Sequence, residues 1–417
     1  MKSALEFIGP LSQIITLAGL PMRGPLNDSS LDVIHDGGIL FQNGRILKVG
    51  NFTSIRRELQ SQEYTFHHID FPAVVFPGFI DSHTHICYAG SRAKDFAMRN
   101  AGSSYLEIAR AGGGIWDTVT KTRQAESKLL NIGIVERANT LLHRGVTTIE
   151  VKSGYGLSVS DELKMLQAIQ ETNNELGADL VPTCLAAHIF PRDFDGSKEE
   201  YLELIMTELF PVIKEKNLAS RIDAFVEEGA FSPAEISSYL TEASNHGFDI
   251  TIHADQFSTG GSKVAVDHKA VSADHLEASM DHEIQLLAQS ETVATVLPGA
   301  SVGLGMNFAP ARKILDANGI LAIASDWNPG SAPMGDLLTL SSILSTYEKL
   351  TTAEVLAGIT FRAAQALRLD DRGVLSEGKL ANFILFPTSD YREVLYHQCQ
   401  LQPAEVWKKG KPVKRKS

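Results

Sequence analysis

Apolar and polar positions follow two different rhythms along this chain. Over roughly the first seventy residues the apolar runs are short and punctuated by turn residues. Asp36-Gly37-Gly38 precedes Ile39-Leu40-Phe41, and Asn43-Gly44, a strong hairpin signal, leads into Arg45-Ile46-Leu47-Lys48-Val49-Gly50. From Val74 the pattern changes to apolar strands separated by amphipathic helices. Strands are predicted at 74–80, 146–151, 180–186, 222–226, 249–253, 270–273, 292–297 and 321–325, with helix periodicity over 161–176 and 233–246. Eight strands with intervening helices over about 250 residues is the length of a (β/α)8 barrel. An open doubly wound sheet is the competing arrangement, but no GxGxxG follows a strand and no GxxxxGK[ST] occurs, so dinucleotide and P-loop chemistry have no support.

Past the barrel, 352–367 reads as a helix pair rich in Ala and Leu. The β pattern then returns at Gly373-Val374-Leu375, Gly378-Lys379, 382–386 and Glu405-Val406-Trp407. Both ends of the chain are β and the middle is α/β. The expected fold is therefore α/β: a TIM-like (β/α)8 barrel over 74–368, beside a small β-sandwich domain assembled from 1–73 and 369–417.

Composition narrows the function classes. Lys+Arg number 38 against Asp+Glu 50, a net charge of −12, which argues against a nucleic-acid protein with its basic face. The basic residues near the end (Lys408, Lys409, Lys411, Lys414, Arg415, Lys416) read as a solvated, frayed tail. Three cysteines, Cys87, Cys184 and Cys399, far apart and without CxxC spacing, make no disulfide framework and fit a reducing compartment. The stretch 1–22 is interrupted by Glu6, Gly9 and Pro10 before it takes signal-peptide form, and no run approaches the ~18 apolar residues of a membrane span. A cytoplasmic protein acting on a small molecule, with neither nucleic acid nor membrane as partner, is expected.

The chemistry lies at strand ends. After the first barrel strand stands Pro77-Gly78-Phe79-Ile80-Asp81-Ser82-His83-Thr84-His85, in which His83 and His85 project to one face, as residues two apart do in extended chain. Two imidazoles on one face suit a metal. His188 follows the third strand, His253 ends the fifth, His275 ends the sixth and Asp326 ends the eighth. The C-terminal strand ends carry the chemistry of such barrels, and five histidines and an aspartate gathered there would be costly to bury without a metal or substrate. The other histidines show no such placement.

These residues resemble the amidohydrolase superfamily and, within it, the imidazolonepropionase family. The carrying motifs are His83-Thr84-His85 with Ala89-Gly90-Ser91-Arg92, Ala111-Gly112-Gly113-Gly114-Ile115, Val151-Lys152-Ser153-Gly154-Tyr155-Gly156-Leu157 and Glu162-Leu163-Lys164-Met165-Leu166. They continue with His253-Ala254-Asp255-Gln256, Ser272-Ala273-Asp274-His275-Leu276 and Asp326-Trp327-Asn328-Pro329-Gly330-Ser331.

The resemblance implies one divalent metal ion, zinc or iron, held by His83, His85, His253 and Asp326. It implies hydrolysis of the cyclic amide of 4-imidazolone-5-propanoate to N-formimino-L-glutamate in histidine breakdown. Arg92 would take the propanoate, with Tyr105, Tyr155, His188, Gln256, Asn328, Gly330 and Ser331 around the substrate. His275 and Asp326 would be the catalytic groups, and which of them is the base stays open. A homodimer is implied by the family alone.

Lys152 follows the second strand rather than the fourth, so a carboxylated bridging lysine is disfavoured and a surface or loop-anchoring charge is expected. Gln256 stands where related deaminases carry a proton-shuttling Glu, which argues against a deaminase. Glu227 and Glu228 have no assigned role. The competing readings are another cyclic amidohydrolase or aminohydrolase, and a metal-binding scaffold without catalysis.

Overall fold

Two sheets organise the chain, and they meet at Gly78. The structure, a computed structural model, describes residues 5–398 and 400–414, with the side chains of 105, 106 and 109 outside that description. The first sheet holds β1 (Leu5–Ile15), β2 (Val33–Gln42), β3 (Arg45–Asn51), β4 (Tyr64–His68) and β5 (Val74–Pro77). The second holds β6 (Phe79–Asp81), β7 (Val146–Lys152), β8 (Asp179–Ala187), β9 (Arg221–Val226), β10 (Asp249–Ala254), β11 (Ser272–His275), β12 (Val293–Val296) and β13 (Leu321–Ile323). The chain then returns to the first sheet with β14 (Phe383–Phe386), β15 (Glu405–Lys408) and β16 (Lys411–Pro412).

The strand expected at 74–80 is thus two strands. β5 pairs with β1 and β14, whereas β6 pairs with β7. The switch happens between consecutive residues: Gly78 N–H donates to Asn382 O at 2.9 Å and Phe79 N–H to Gly145 O at 2.9 Å. The crossing is tight, since a Cβ at Gly78 would lie 2.3 Å from Thr147 Oγ1. An unbroken apolar run conceals a change of partner of this kind.

The first sheet is mixed, in the order β16-β15-β14-β5-β1-β2-β3, with β4 also on β1. It is strongly rolled. Phe41 on β2 has its ring 5.9 Å from Phe383 on β14 and 6.0 Å from Trp407 on β15. In a flat sheet two intervening strands at ~4.8 Å spacing would hold β2 and β14 about 14 Å apart. Ile8, Leu11, Ile39, Phe41, Phe383 and Trp407 share the enclosed core. β2 runs straight through Asp36-Gly37-Gly38, where the sequence suggested turn punctuation. The glycines there leave room for Ile14 and Phe7 to lie across the strand, within 2.4 and 2.6 Å of where each Cβ would stand.

The second sheet is parallel throughout, in chain order from β6 to β13. Helices follow the strands, for example Val159–Asn173 after β7 and Pro233–Asn245 after β9. The second starts where the sequence says it should. Ser232 caps it, its hydroxyl accepting from Glu235 N–H while the Glu235 carboxylate accepts from Ser232 N–H. At the C-terminal end the barrel closes beyond its formal strands: Asp326 N–H donates to His83 O at 3.1 Å and His85 N–H to Trp327 O at 2.9 Å.

The basic segment is not a frayed tail over its described part. Lys408 and Lys411 pair across a hairpin, and the buried Lys408 makes an ion pair with Asp179 at the start of β8. Arg415 and Lys416 lie outside the described residues, as does Cys399. Cys87 and Cys184 are buried free thiols. Among the described residues no helix is long and apolar enough to cross a membrane.

Candidate active site

β7 shows how the barrel interior is built. All seven residues of Val146–Lys152 are buried, so side chains on both faces leave water. Glu150 and Lys152 are two apart and share the inward face, where Lys152 Nζ donates to Glu150 Oε1 at 2.8 Å. Lys152 is therefore neither a surface charge nor a loop anchor, as the sequence suggested, but a fully buried ammonium. Its Nζ also stands 2.8 Å from Asp223 Oδ2 and 3.9 Å from Asp274 Oδ2. Burial acts against its charge, but Asp223 and Glu150 raise its pKa above the usual lysine range.

Above this network the imidazoles converge. His83 Nε2 and His253 Nε2 each lie 3.3 Å from His85 Nε2. Asp326 Oδ1 is 3.5 Å from His83 Nε2 and 3.4 Å from His85 Nε2. The outer nitrogens face carboxylates: His83 Nδ1 meets Asp274 Oδ2 at 2.7 Å and His253 Nδ1 meets Asp223 Oδ2 at 3.0 Å. Asp274 accepts a hydrogen bond from His83 Nδ1–H, which leaves the lone pair on its Nε2, and Asp223 faces His253 Nδ1 at ion-pair distance. Burial, the largest influence on each, lowers the pKa of His83, His85 and His253 and so favours their neutral forms.

Three Nε2 atoms thus converge through contacts of 3.3 Å, and Asp326 Oδ1 is buried with no hydrogen-bond donor among the described residues. A cation among them satisfies all four at once. His83, His85 and His253 form one group able to hold a metal, and His83, His275 and Asp326 form another. His275 thus borders the same point from the Asp326 side. Its Nδ1 is 3.4 Å from Glu277 Oε2; burial acts to lower its pKa, but Glu277 and Asp326 raise it.

A cavity of about 760 Å³ opens over this cluster, within the range of small-molecule sites. Arg92, Tyr155, His188, Gln256, Gly330 and Ser331 line it. The Arg92 Nε–H donates to Asp95 Oδ2, and the same oxygen accepts from Gly114 N–H at 2.8 Å, so the AGGGI segment and the arginine share one anchor. His188 Nδ1 donates to Gly154 O at 2.9 Å, which leaves Nε2 as an acceptor; burial brings its pKa down to about 3. Tyr155 packs with its ring centre 5.9 Å from His85 and 5.6 Å from His188. Tyr105 opens the helix Tyr105–Arg110, and its side chain lies outside the described residues.

Asn328 also lines the cavity, but its amide is spent locally. Nδ2 donates to Asp326 O at 2.8 Å, Asp326 Oδ2 at 3.0 Å and Ser331 Oγ at 2.8 Å, while Oδ1 accepts from Gly330 and Ser331 N–H at 2.8 Å each. It holds the loop and fixes Asp326. Glu227 braces the Gln256 loop through Phe257 N–H at 2.8 Å and Ser258 N–H at 3.2 Å, whereas Glu228 is exposed at the cavity mouth.

Asp223, Asp274, Glu150 and Asp95 had no role assigned from the sequence, although Asp274 stands in the Ser272-Ala273-Asp274-His275-Leu276 motif. For the first three a signal was present: an acid inside an apolar barrel strand has to face something that compensates it. Asp95 carried none, because an acid three residues after an arginine on a helix is ordinarily a surface pair.

The Amidohydrolase family pattern matches residues 74–413. An imidazolonepropionase of Bdellovibrio bacteriovorus is 37% identical over 407 residues, covering 97% of this chain and 95% of its own length. One of Bacillus cytotoxicus is 40% identical over 389 residues, covering 91% and 90%. Among solved structures, guanine deaminase from C. acetobutylicum superposes with TM-score 0.75 at 13% identity, covering 98% of this chain and 100% of that one. Atrazine chlorohydrolase TrzN from Arthrobacter aurescens, complexed with zinc, gives 0.69 at 15%, covering 98% and 94%. At such identities these two establish the fold alone.

Proposed function

The chain belongs to the imidazolonepropionase family of the amidohydrolases, and from that premise we propose that its barrel site opens the ring of 4-imidazolone-5-propanoate to give N-formimino-L-glutamate in histidine breakdown. The observation that carries this reading is the convergence of three buried imidazoles and an orphaned carboxylate oxygen at the floor of a cavity that also contains an arginine.

His83, His85, His253 and Asp326 would hold one divalent ion, zinc or iron, both compatible with three imidazoles and a carboxylate. Such an ion supplies a water whose pKa falls from ~15.7 toward ~7 and polarises the carbonyl under attack. The chain's own residues do the rest. Arg92 takes the propanoate, which holds the carbonyl carbon over the histidines. His188 and Gln256 hydrogen-bond the ring nitrogens, with Tyr105, Tyr155, Gly330 and Ser331 shaping the pocket. Asn328 acts one step back by fixing Asp326 Oδ2. Asp326 or His275 accepts the proton of the attacking water, whose oxygen bonds to the carbonyl carbon. The amide C–N bond then breaks, and the same proton passes to the departing nitrogen.

The division expected from the sequence, 1–73 and 369–417 for the small domain and 74–368 for the barrel, shifts at its first border, because β5 (Val74–Pro77) pairs with β1 and β14 and the barrel begins at Phe79. A cytoplasmic homodimer completes the reading, supported by family resemblance and by the cysteine pattern. Incubation of the purified protein with freshly made 4-imidazolone-5-propanoate should yield formimino-glutamate; an unchanged substrate with metal-loaded protein would overturn the assignment.

A further inference from the structure

We propose that Lys152 is the positioning residue of the metal site, a single buried cation that locks the two carboxylates which orient His83 and His253. The inference rests on the metal-dependent reading above and adds to it the device that keeps the ligand set in place before any ion arrives.

Three observations carry it. Lys152 and its neighbours Glu150, Asp223 and Asp274 are all buried to 1% exposure or less, so no solvent screens or repositions them. Lys152 Nζ lies 2.8 Å from both Glu150 Oε1 and Asp223 Oδ2 and 3.9 Å from Asp274 Oδ2, which places one ammonium among three acids. The Asp223 and Asp274 oxygens that face Lys152 are the same atoms that meet His253 Nδ1 at 3.0 Å and His83 Nδ1 at 2.7 Å. Lys152 therefore touches no proposed ligand, yet stands one carboxylate away from two of them. Glu150 ties the assembly to the HxH segment, since its Oε2 accepts from Thr84 N–H at 3.1 Å. Without the ammonium, three neighbouring carboxylates would repel and move apart, and with them the acceptors that select the Nδ1–H tautomer.

Charge alone makes the opposite forecast, and that makes the idea testable. A lysine near a divalent cation repels it, so a pure field effect would let removal of the charge tighten metal binding. Positioning requires weaker binding. Zinc affinity is to be measured by chelator competition on metal-stripped parent, on Lys152→Met, and on Lys152→Met/Glu150→Gln. The double variant removes one negative charge along with the positive one, which protects folding. The histidine N–H proton resonances of the metal-free proteins are recorded alongside.

The expected result is a ~10–100-fold loss of zinc affinity in both variants, the range for partners that orient metal ligands. The far-downfield Nδ1–H signal of His83 should also weaken or vanish. Equal or tighter zinc binding in the folded double variant, with the N–H signal intact, would overturn the role given to Lys152. A parent protein that binds no zinc or ferrous ion would instead overturn the metal reading itself.

Discussion

The backbone N–H of Asp326 donates to the carbonyl of His83 at 3.1 Å, so the first and last barrel strands are sewn together at two residues that point into the same cluster. Closure of the fold and assembly of the site are one event. A divalent ion held by these residues would add to folding stability according to its free concentration relative to its Kd.

The first expected outcome follows from that linkage. Elemental analysis should find close to one zinc or iron per chain, and stripping it should abolish turnover and lower the melting temperature. Asp326→Asn should lose most activity and part of the metal. Full turnover by thoroughly metal-free protein would refute the metal-dependent mechanism.

His275 offers a sharper separation. It borders the cluster from the Asp326 side, yet the other three imidazoles already surround the point. His275→Asn is expected to retain metal while losing ~10²–10⁴ in kcat, the range of a general acid–base group. If the variant purifies without metal, His275 is a ligand and the proton belongs to Asp326.

The Asp179 cluster at the opposite end of the barrel sets an acid limit on stability. Burial acts to raise the Asp179 pKa, but Lys408 and Arg372 beside it bring it down to about 2 from 3.8. A depressed carboxyl contributes stability that is fully present above pH ~4 and is lost as pH falls through about 2. The gap corresponds to about 2 kcal/mol. Unfolding free energies of metal-free parent and Asp179→Asn should therefore differ by about 2 kcal/mol less at pH 2 than at pH 6. A difference independent of pH would show that the ion pairs contribute nothing.

Much of this was legible in the sequence because strand ends and apolar runs are local features. The strands from Val146 onward lie on or beside their predicted apolar runs, the sixth displaced from 270–273 to Ser272–His275, and the histidines mark the strand ends. The split of 74–80 at Gly78 was hidden, because both halves are equally apolar and only their hydrogen-bond partners differ. Lys152 was misjudged for a related reason. A lysine at a strand end is usually solvated, and its three compensating acids come from β7, β9 and β11, which only the closed barrel brings together. The Lys408 segment looked like a tail because its partner, Asp179, lies far away in the chain.

Substrate identity turns on Arg92 and, through it, on Asp95. Arg92 lines the cavity with its side chain only 12% exposed; its Nε is committed to Asp95 and its Nη1 reaches Thr118 Oγ1 only at 3.5 Å, so the terminal nitrogens are the part available to a carboxylate. A propanoate left without its cation in such a pocket loses ~2–5 kcal/mol, or ~30-fold to several-thousand-fold in kcat/KM. Because the tail carries the same charge in the ground and transition states, Arg92→Met should act mainly on KM. Asp95→Asn keeps the arginine but weakens the anchor it shares with Gly114 N–H. The loss of a charged hydrogen bond, ~1.5–3 kcal/mol, should raise KM by roughly 10–100-fold with kcat nearly unchanged. A ring substrate lacking the carboxylate should be turned over equally poorly by the parent and by both variants. If Arg92→Met binds the natural substrate normally, the arginine only braces the AGGGI segment. The propanoate would then need another cation, for which Arg99, also on the cavity wall, is the next position to test.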